Sequence, residues 1–430
     1  MQRSTHPIDR PLTRRAVLGG LAAAAAAGVV GCTSPTAPKS GGKSKQLSLL
    51  LLGPTQDLLR YVNKTVIPTF TKASGYDVQV QSSDWGSAFQ KVTTAAASNS
   101  LADVLLIGGI WTAPLAAKNV LLDLSDRVNS WSDADQFYPG MIADGKWQDK
   151  QYAVPFGGDV RSGMYRTDLL HRAGVTDLPD TWDEWSSVAK KVKATGAVKA
   201  PIDWGLDKSI GLQQAFAQLF LEAGGSYFDD NGKAQFNSEA GVKALTFLTD
   251  TYRRGLADVN MVDSGNGPSS LSRGETAMSL RGFSAQINAT QYAPKVVTKL
   301  AAGPALRPTA DAKSKAVAWI NKFAIAANTK DPDGAWKLLT HLVSKDTLSR
   351  FTQLNAALPA RKDLADASWI TSLGRQILRT APTAISQPPN PKMLQIGPAV
   401  TTLLEPAIRG SASVSKTLAA IDAKVDSFDG

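Results

Sequence analysis

Among its 430 residues the chain has one cysteine and three histidines. A single thiol closes no disulfide within the chain, so packing alone must hold the fold together. His6, His171 and His341 stand far apart, and none has a second His or Cys at ligand spacing, which argues against a zinc or copper centre. No Gly-x-Ser-x-Gly turn, His-Glu-x-x-His pair or dinucleotide-binding glycine pattern occurs. Catalytic residues are therefore not expected, and neither is a cofactor. Gly42-Lys43-Ser44 approaches a phosphate-binding loop, but Ala37 stands where that loop needs its first glycine. The formal charge of +10 comes from scattered Lys and Arg with no basic run interleaved with aromatics. Such a surface serves solubility, or weak attraction to anionic polymers, and gives no reason to expect nucleic acid. No apolar stretch reaches the ~20 residues of a membrane-spanning helix.

What is present begins at the amino end. Arg3, Arg10, Arg14 and Arg15 make a basic start, and fifteen largely apolar residues, 16–30, follow. That order is the pattern of a secretory signal rather than of an anchor helix. Thr13-Arg14-Arg15-Ala16-Val17-Leu18 resembles a twin-arginine export signal. Val29-Val30-Gly31-Cys32 is similar to a bacterial lipobox, with Val29 in place of the usual Leu and Val30 in place of a small residue. Cys32 is thus the candidate lipidation site, and two acyl chains supply the double signal that stable anchoring needs. Residues 32–45 are rich in Ser, Pro, Thr, Lys and Gly and read as a flexible tether. Loss of residues 1–31 leaves 399 residues with a net charge of +7, enough chain for two lobes.

Along the mature chain, strand and helix patterns alternate. Residues 46–53 form an apolar run closed by Gly53-Pro54, and 78–81 and 103–107 read as further strands. Leu58, Leu59, Val62, Val66 and Phe70 lie at helical spacing, with Pro68 expected to break or end that helix. Residues 89–98 read as a helix. Thr181-Trp182-Asp183-Glu184 is a capping box, Ser238 caps a second helix that Gly255 ends, and Asp331-Pro332 opens a third. Trp182, Trp185 and Trp336 fall on the apolar faces of these helices and read as core. Alternation of this kind specifies an α/β sheet covered by helices.

Several stretches in order carry a family likeness. They are Gln151-Tyr152-Ala153-Val154-Pro155-Phe156, Met164-Tyr165-Arg166-Thr167-Asp168, and Leu178-Pro179-Asp180-Thr181-Trp182. Downstream come Ala223-Gly224-Gly225-Ser226-Tyr227, Arg273-Gly274-Glu275-Thr276-Ala277-Met278, Asp331-Pro332-Asp333-Gly334-Ala335-Trp336 and Leu404-Glu405-Pro406-Ala407. Together they resemble bacterial extracellular solute-binding proteins of the maltose-binding type. The resemblance implies an α/β fold of the two-lobed periplasmic-binding-protein kind (type II), with a ligand cleft between hinged lobes. It implies passages between the lobes near residues 153–156, near 300–305 and around 344. The divisions expected are 46–153 and 302–344 for the first lobe, and 154–301 with a helical 345–430 for the second. It also implies a monomeric lipoprotein on the outer face of the cytoplasmic membrane. That protein would carry a carbohydrate ligand to the permease subunits of an ABC importer driven by a separate ATPase.

A sugar offers apolar C–H faces and a hydroxyl rim, so its site needs flat aromatic platforms beside planar polar groups. On that reasoning the candidates at strand ends are Asp84, Trp85 and Trp111. Asp159 and Arg161 follow the first passage, and Trp204 sits among turn residues. The resemblance adds Phe283, where relatives often have Gly-Pro-Trp, Trp319, where they carry a Gly-rich loop, and Asn355, where many have Gly. Arg161 and Arg281 keep open a phosphorylated ligand such as a glycerophosphodiester. A glycoside hydrolase using two carboxylates, and a sensory or adhesive lipoprotein on the same fold, are the remaining readings.

Overall fold

The computed structural model describes residues 45–428 except 207–210, 264–266 and 356. The export signal, the lipobox with Cys32 and the tether up to residue 44 lie outside the described residues. Lys45, expected as the last tether residue, instead opens the first strand and pairs with Tyr76.

In chain order the strands are β1 (Lys45–Leu52), β2 (Tyr76–Ser83), β3 (Val104–Ile107), β4 (Lys146–Trp147), β5 (Lys150–Gln151) and β6 (Ala153–Arg161). Then come β7 (Met164–Arg166), β8 (Ile202–Asp203), β9 (Met278–Ser279), β10 (Leu300–Ala302), β11 (Val317–Ile325) and β12 (Leu358–Pro359). One sheet has the order β12-β6-β11-β3-β1-β2, a second β10-β7-β9-β8, and β4 and β5 form a hairpin. The sequence patterns explain the positions. All four residues of β3 are buried, as an inner strand covered on both faces requires. In β2, at the sheet edge, Gln79 and Gln81 are only partly covered or exposed.

Strand direction places the site. β1 runs parallel to β2 and β3, while β11 is antiparallel to both β3 and β6. The carboxyl ends of β1, β2, β3 and β6 therefore share one edge of the sheet. The amino-terminal part of β11 and the approach to β12 reach the same edge, because β12 is antiparallel to β6.

The expected helix starts are present. Thr181 and Glu184 satisfy each other's backbone N–H groups in a full capping box, Ser238 accepts from Gly241 N, and Asp331 accepts from Gly334 N. Pro68 does not end its helix. A π-helical turn at Val62–Val66 shifts the hydrogen bonding, and Pro68 falls in the first turn of Ile67–Ser74, where its missing N–H has no bond to lose.

Buried side chains form two cores. The first gathers β1, β2, β3, β6 and β11 with their helices, and the second is built around the helices Trp182–Ala194, Gly211–Glu222 and Glu239–Arg253. β6 pairs with β11 along its whole length and reaches the second sheet only across Ser162 and Gly163, beyond the 153–156 expected for this passage. Leu348, Phe351, Leu358, Leu364, Ile377 and Ala381 pack in the first core, whereas the second gains Met393, Ile396, Val400 and Leu418. Residues 384–392 stand between these two groups in the chain. There Ile385 bonds to β11 through Ala318 N and Ala316 O, both at 2.8 Å.

A titrating group lies inside the second core. Glu222, fully enclosed, accepts from Trp182 Nε1 at 3.2 Å and from Gln218 Nε2 at 3.1 Å. Burial pushes its carboxyl from the ordinary 4.5 up to about 8, and the two donors only partly oppose that. The folded form holds this proton more tightly than the unfolded chain does. The associated stability is complete below about pH 4.5 and is lost as pH rises towards about 8. Urea unfolding across this window should show a decline on the order of 5 kcal/mol. Glu222→Gln, with the Gln218 amide turned round, should flatten it. A wild-type profile that is level over the same range would remove Glu222 as its source.

Candidate functional site

Period-2 alternation puts Asp159 and Arg161 on one face of β6, and the register sets Trp319 of β11 directly opposite Asp159. Arg161 is nearly enclosed. Its Nε donates to Asp159 Oδ2 at 3.0 Å and its Nη2 to Gln214 Oε1 at 2.8 Å. The guanidinium carbon stands 4.0 Å from the centre of the Trp319 ring, a cation–π stack. Gln214 belongs to the helix Gly211–Glu222 of the second core, so Arg161 ties the sheet edge of the first core to a helix of the second. The other carboxylate oxygen of Asp159, Oδ1, is buried with no hydrogen-bond partner among the described residues. An acceptor left this way costs free energy unless something donates to it.

The aromatic side of the edge is formed by residues that follow β2 and β3. Asp84 caps the helix Trp85–Ala97, accepting from Ser87 N at 2.9 Å and Ser87 Oγ at 2.5 Å. These bonds hold its carboxyl down at about 2. Its observed work is to start the helix whose first residue is Trp85. Trp111 is buried, with Trp85 edge-on at 6.0 Å and Phe89 edge-on at 5.2 Å. Trp85 is 43% exposed. Asn355 ends the helix Lys345–Leu354 on the same edge, where Thr55 Oγ1 donates weakly to Leu354 O at 3.4 Å.

Two candidates are placed elsewhere. Trp204 is buried in the second core, packed against Trp185 and Phe247, with Nε1 donating to Thr251 Oγ1 at 3.0 Å. Phe283 is buried in the first core, its ring 3.1 Å from where a Cβ on Gly374 would stand. The neighbours of Phe283 do reach the edge. Gly282 lies so close to Val160 O and Arg161 Cα that no side chain fits there. Arg281 crosses Gly205 and donates from Nη1 to Asp263 Oδ2 at 3.0 Å. Burial and the nearby Asp203 raise the Asp263 carboxyl, against the pull of Arg281.

Residues outside the candidate set complete the edge. Gln214 carried no distinct signal, because it is one of three glutamines in its helix. Gln387, in the 384–392 segment, donates to Tyr227 Oη at 2.6 Å and borders a crevice with Trp319, Ile110 and Asp144. That crevice measures about 10 Å³, room for one water at most. Here the two cores meet, and Ile110 packs against both. A broader depression of about 910 Å³ lies away from all these residues, between Lys199, Asp250, Arg253, Asp258 and Arg409. Its charges are already engaged, with Lys199–Asp258 at 3.5 Å, Arg253–Asp250 at 2.6 Å and Arg409–Glu405 at 2.9 Å. Size alone does not make it the site.

Known proteins share this architecture. MalE, the sugar-binding protein of Xanthomonas citri, superposes with a TM-score of 0.77 at 21% identity, over 89% of this chain and 96% of its own. A solute-binding protein of Thermotoga lettingae with bound α-D-tagatose gives 0.75 at 23% identity, over 89% and 99%. In sequence, the diacetylchitobiose-binding protein DasA of Streptomyces coelicolor is 24% identical over 305 residues, 67% of each chain. The solved structures share the two-lobed α/β fold. Residues 53–347, more than half of the chain, match the family as a whole, and the chain belongs to the bacterial extracellular solute-binding proteins.

Proposed function

We propose that the chain is the substrate-binding lipoprotein of an ABC-type importer. It captures a neutral mono- or oligosaccharide outside the membrane and presents it to the permease subunits. It is no enzyme, acts as a monomer, and is held at the outer face of the cytoplasmic membrane through lipid on Cys32. The names of the relatives support a carbohydrate ligand.

One observation carries the choice of a neutral ligand. Among the described residues, a carboxylate oxygen at this edge, Asp159 Oδ1, lacks a partner, while the nearby cations are engaged, Arg161 by Asp159 and Gln214 and Arg281 by Asp263. Such a site asks its ligand for hydrogen-bond donors, which hydroxyls supply and a phosphate dianion does not. Trp319 and Trp85, the latter packed on the buried Trp111, add flat apolar surface for the C–H faces of a sugar.

A thermal-shift screen tests the reading. The chain should begin at or before residue 44 so that β1 stays whole. Neutral sugars should raise the melting temperature with the logarithm of their concentration, by about 2.7 kcal/mol of added stability at a hundredfold excess over Kd. Sugar phosphates should leave it unchanged. A shift with phosphorylated compounds alone would replace this reading with the anionic-polyol one, and silence across the panel would favour a sensory or adhesive role.

A further inference from the structure

Trp85 is an exposed indole, yet it is not loosely held. It lies over the ends of two neighbouring strands, at Gly53 after β1 and Gly108 after β3. Gly53 has φ +56°, a backbone conformation that favours glycine, and a Cβ there would collide with Cδ1 and Nε1 of the Trp85 indole. Gly108 differs. Its φ of −75° and ψ of 166° are ordinary extended values that any residue adopts. What glycine provides at 108 is the absence of a side chain. A Cβ there would stand 3.2 Å from Trp85 Cζ3 and 3.3 Å from Trp111 Nε1, beneath the point where the two indoles meet at an interplanar angle of 81°.

We propose that Gly53 and Gly108 form a seat for the Trp85 indole, and that Gly108 is a positioning residue fixing the plane on which the ligand rests. The inference builds on the binding edge described above. An exposed Trp free to rotate would lose that freedom on binding, and a seated one has already lost it. A methyl group at 108 would press on both indoles and make one of them shift by a few tenths of an ångström, while the extended backbone accommodates alanine without strain.

A double-mutant cycle separates this role from a general structural one. Gly108→Ala should weaken binding of the sugar that most raises the melting temperature by about tenfold when Trp85 is present. In a Trp85→Ala background the same substitution should change affinity less than about twofold. An equal loss in both backgrounds, or none in either, overturns the seat. A second readout needs no ligand. The near-ultraviolet circular dichroism of the Trp85–Trp111 pair should change in Gly108→Ala, and that substitution should add nothing once Trp85 is Phe. An unchanged spectrum in Gly108→Ala overturns the proposal even if every sugar binds. If no sugar binds the wild type, the functional reading fails and the spectrum still decides about the seat. Should Gly108→Ala fail to fold, folding regained on adding Trp85→Ala supports the seat, and failure in both backgrounds sinks it.

Discussion

Replacing Arg161 by methionine is expected to cost at least a hundredfold in ligand affinity, about 3 kcal/mol, while the protein still folds. Among its partners the guanidinium holds Asp159, Gln214 across the interface of the two cores, and the Trp319 ring. Methionine keeps the apolar stem and loses all donors. Asp159 would then turn both oxygens towards the ligand without a countercharge, and Trp319 would lose the cation that holds its face in place. The affinity falls because the ligand must then itself order Asp159 and Trp319, which Arg161 holds in place beforehand. Calorimetric titration, with the melting temperature as a folding control, is the measurement. An affinity within threefold of wild type would take Arg161 out of the site.

The second large effect concerns stability. Lys322 is fully buried in β11, and its ammonium donates to Gly109 O at 2.8 Å and pairs with the carboxylate of Asp144, itself 6% exposed. Lys322→Met removes the cation and leaves that carboxylate enclosed, which should cost about 3–5 kcal/mol. The double variant Lys322→Met/Asp144→Leu should recover most of the loss, since a buried ion pair is often replaced by apolar groups at little cost. Gly109 O would still lack its donor, so recovery should stop short of complete. Urea unfolding of the three proteins decides. A single-variant loss under about 1 kcal/mol would mean that water reaches Asp144 and that the pair is not sealed.

These two side chains also show what could be read from the sequence. Helix starts at Thr181, Ser238 and Asp331 were legible because a cap acts within four residues. Trp85 and Trp111 were legible as residues that follow strands, and parallel strands bring their ends together without needing a particular partner, whereas Asp159 and Arg161 were named for following the first passage and Trp319 through the family resemblance. Trp204 misled for the opposite reason. Its turn-rich surroundings suggest a loop facing the ligand, but its indole N–H finds Thr251, 47 residues away. Phe283 stands beside the edge by sequence and points into the first core. Nothing near Lys322 in the sequence marks it as buried with a partner, because that partner, Asp144, stands 178 residues earlier. Gln214 and Gln387 likewise act through partners far along the chain, 53 and 160 residues away. Local chemistry writes caps, turns and strand ends, whereas the pairing of buried polar groups is written only in the folded chain.

The place of β11 has a consequence for how the protein is made. It lies between β6 and β3 in the first sheet, yet it follows the whole of β7–β10 in the chain. During synthesis at ~5–20 residues per second, β3 and β6 wait on the order of ten seconds or more for the strand that joins them. Through that interval each presents open backbone donors and acceptors, the condition that invites pairing with a wrong strand. A chain stopped before Val317 carries both edges for good. The vulnerable stage of this protein is therefore its birth, and substitutions in β11 should reduce how much protein matures more than they change the melting of what does.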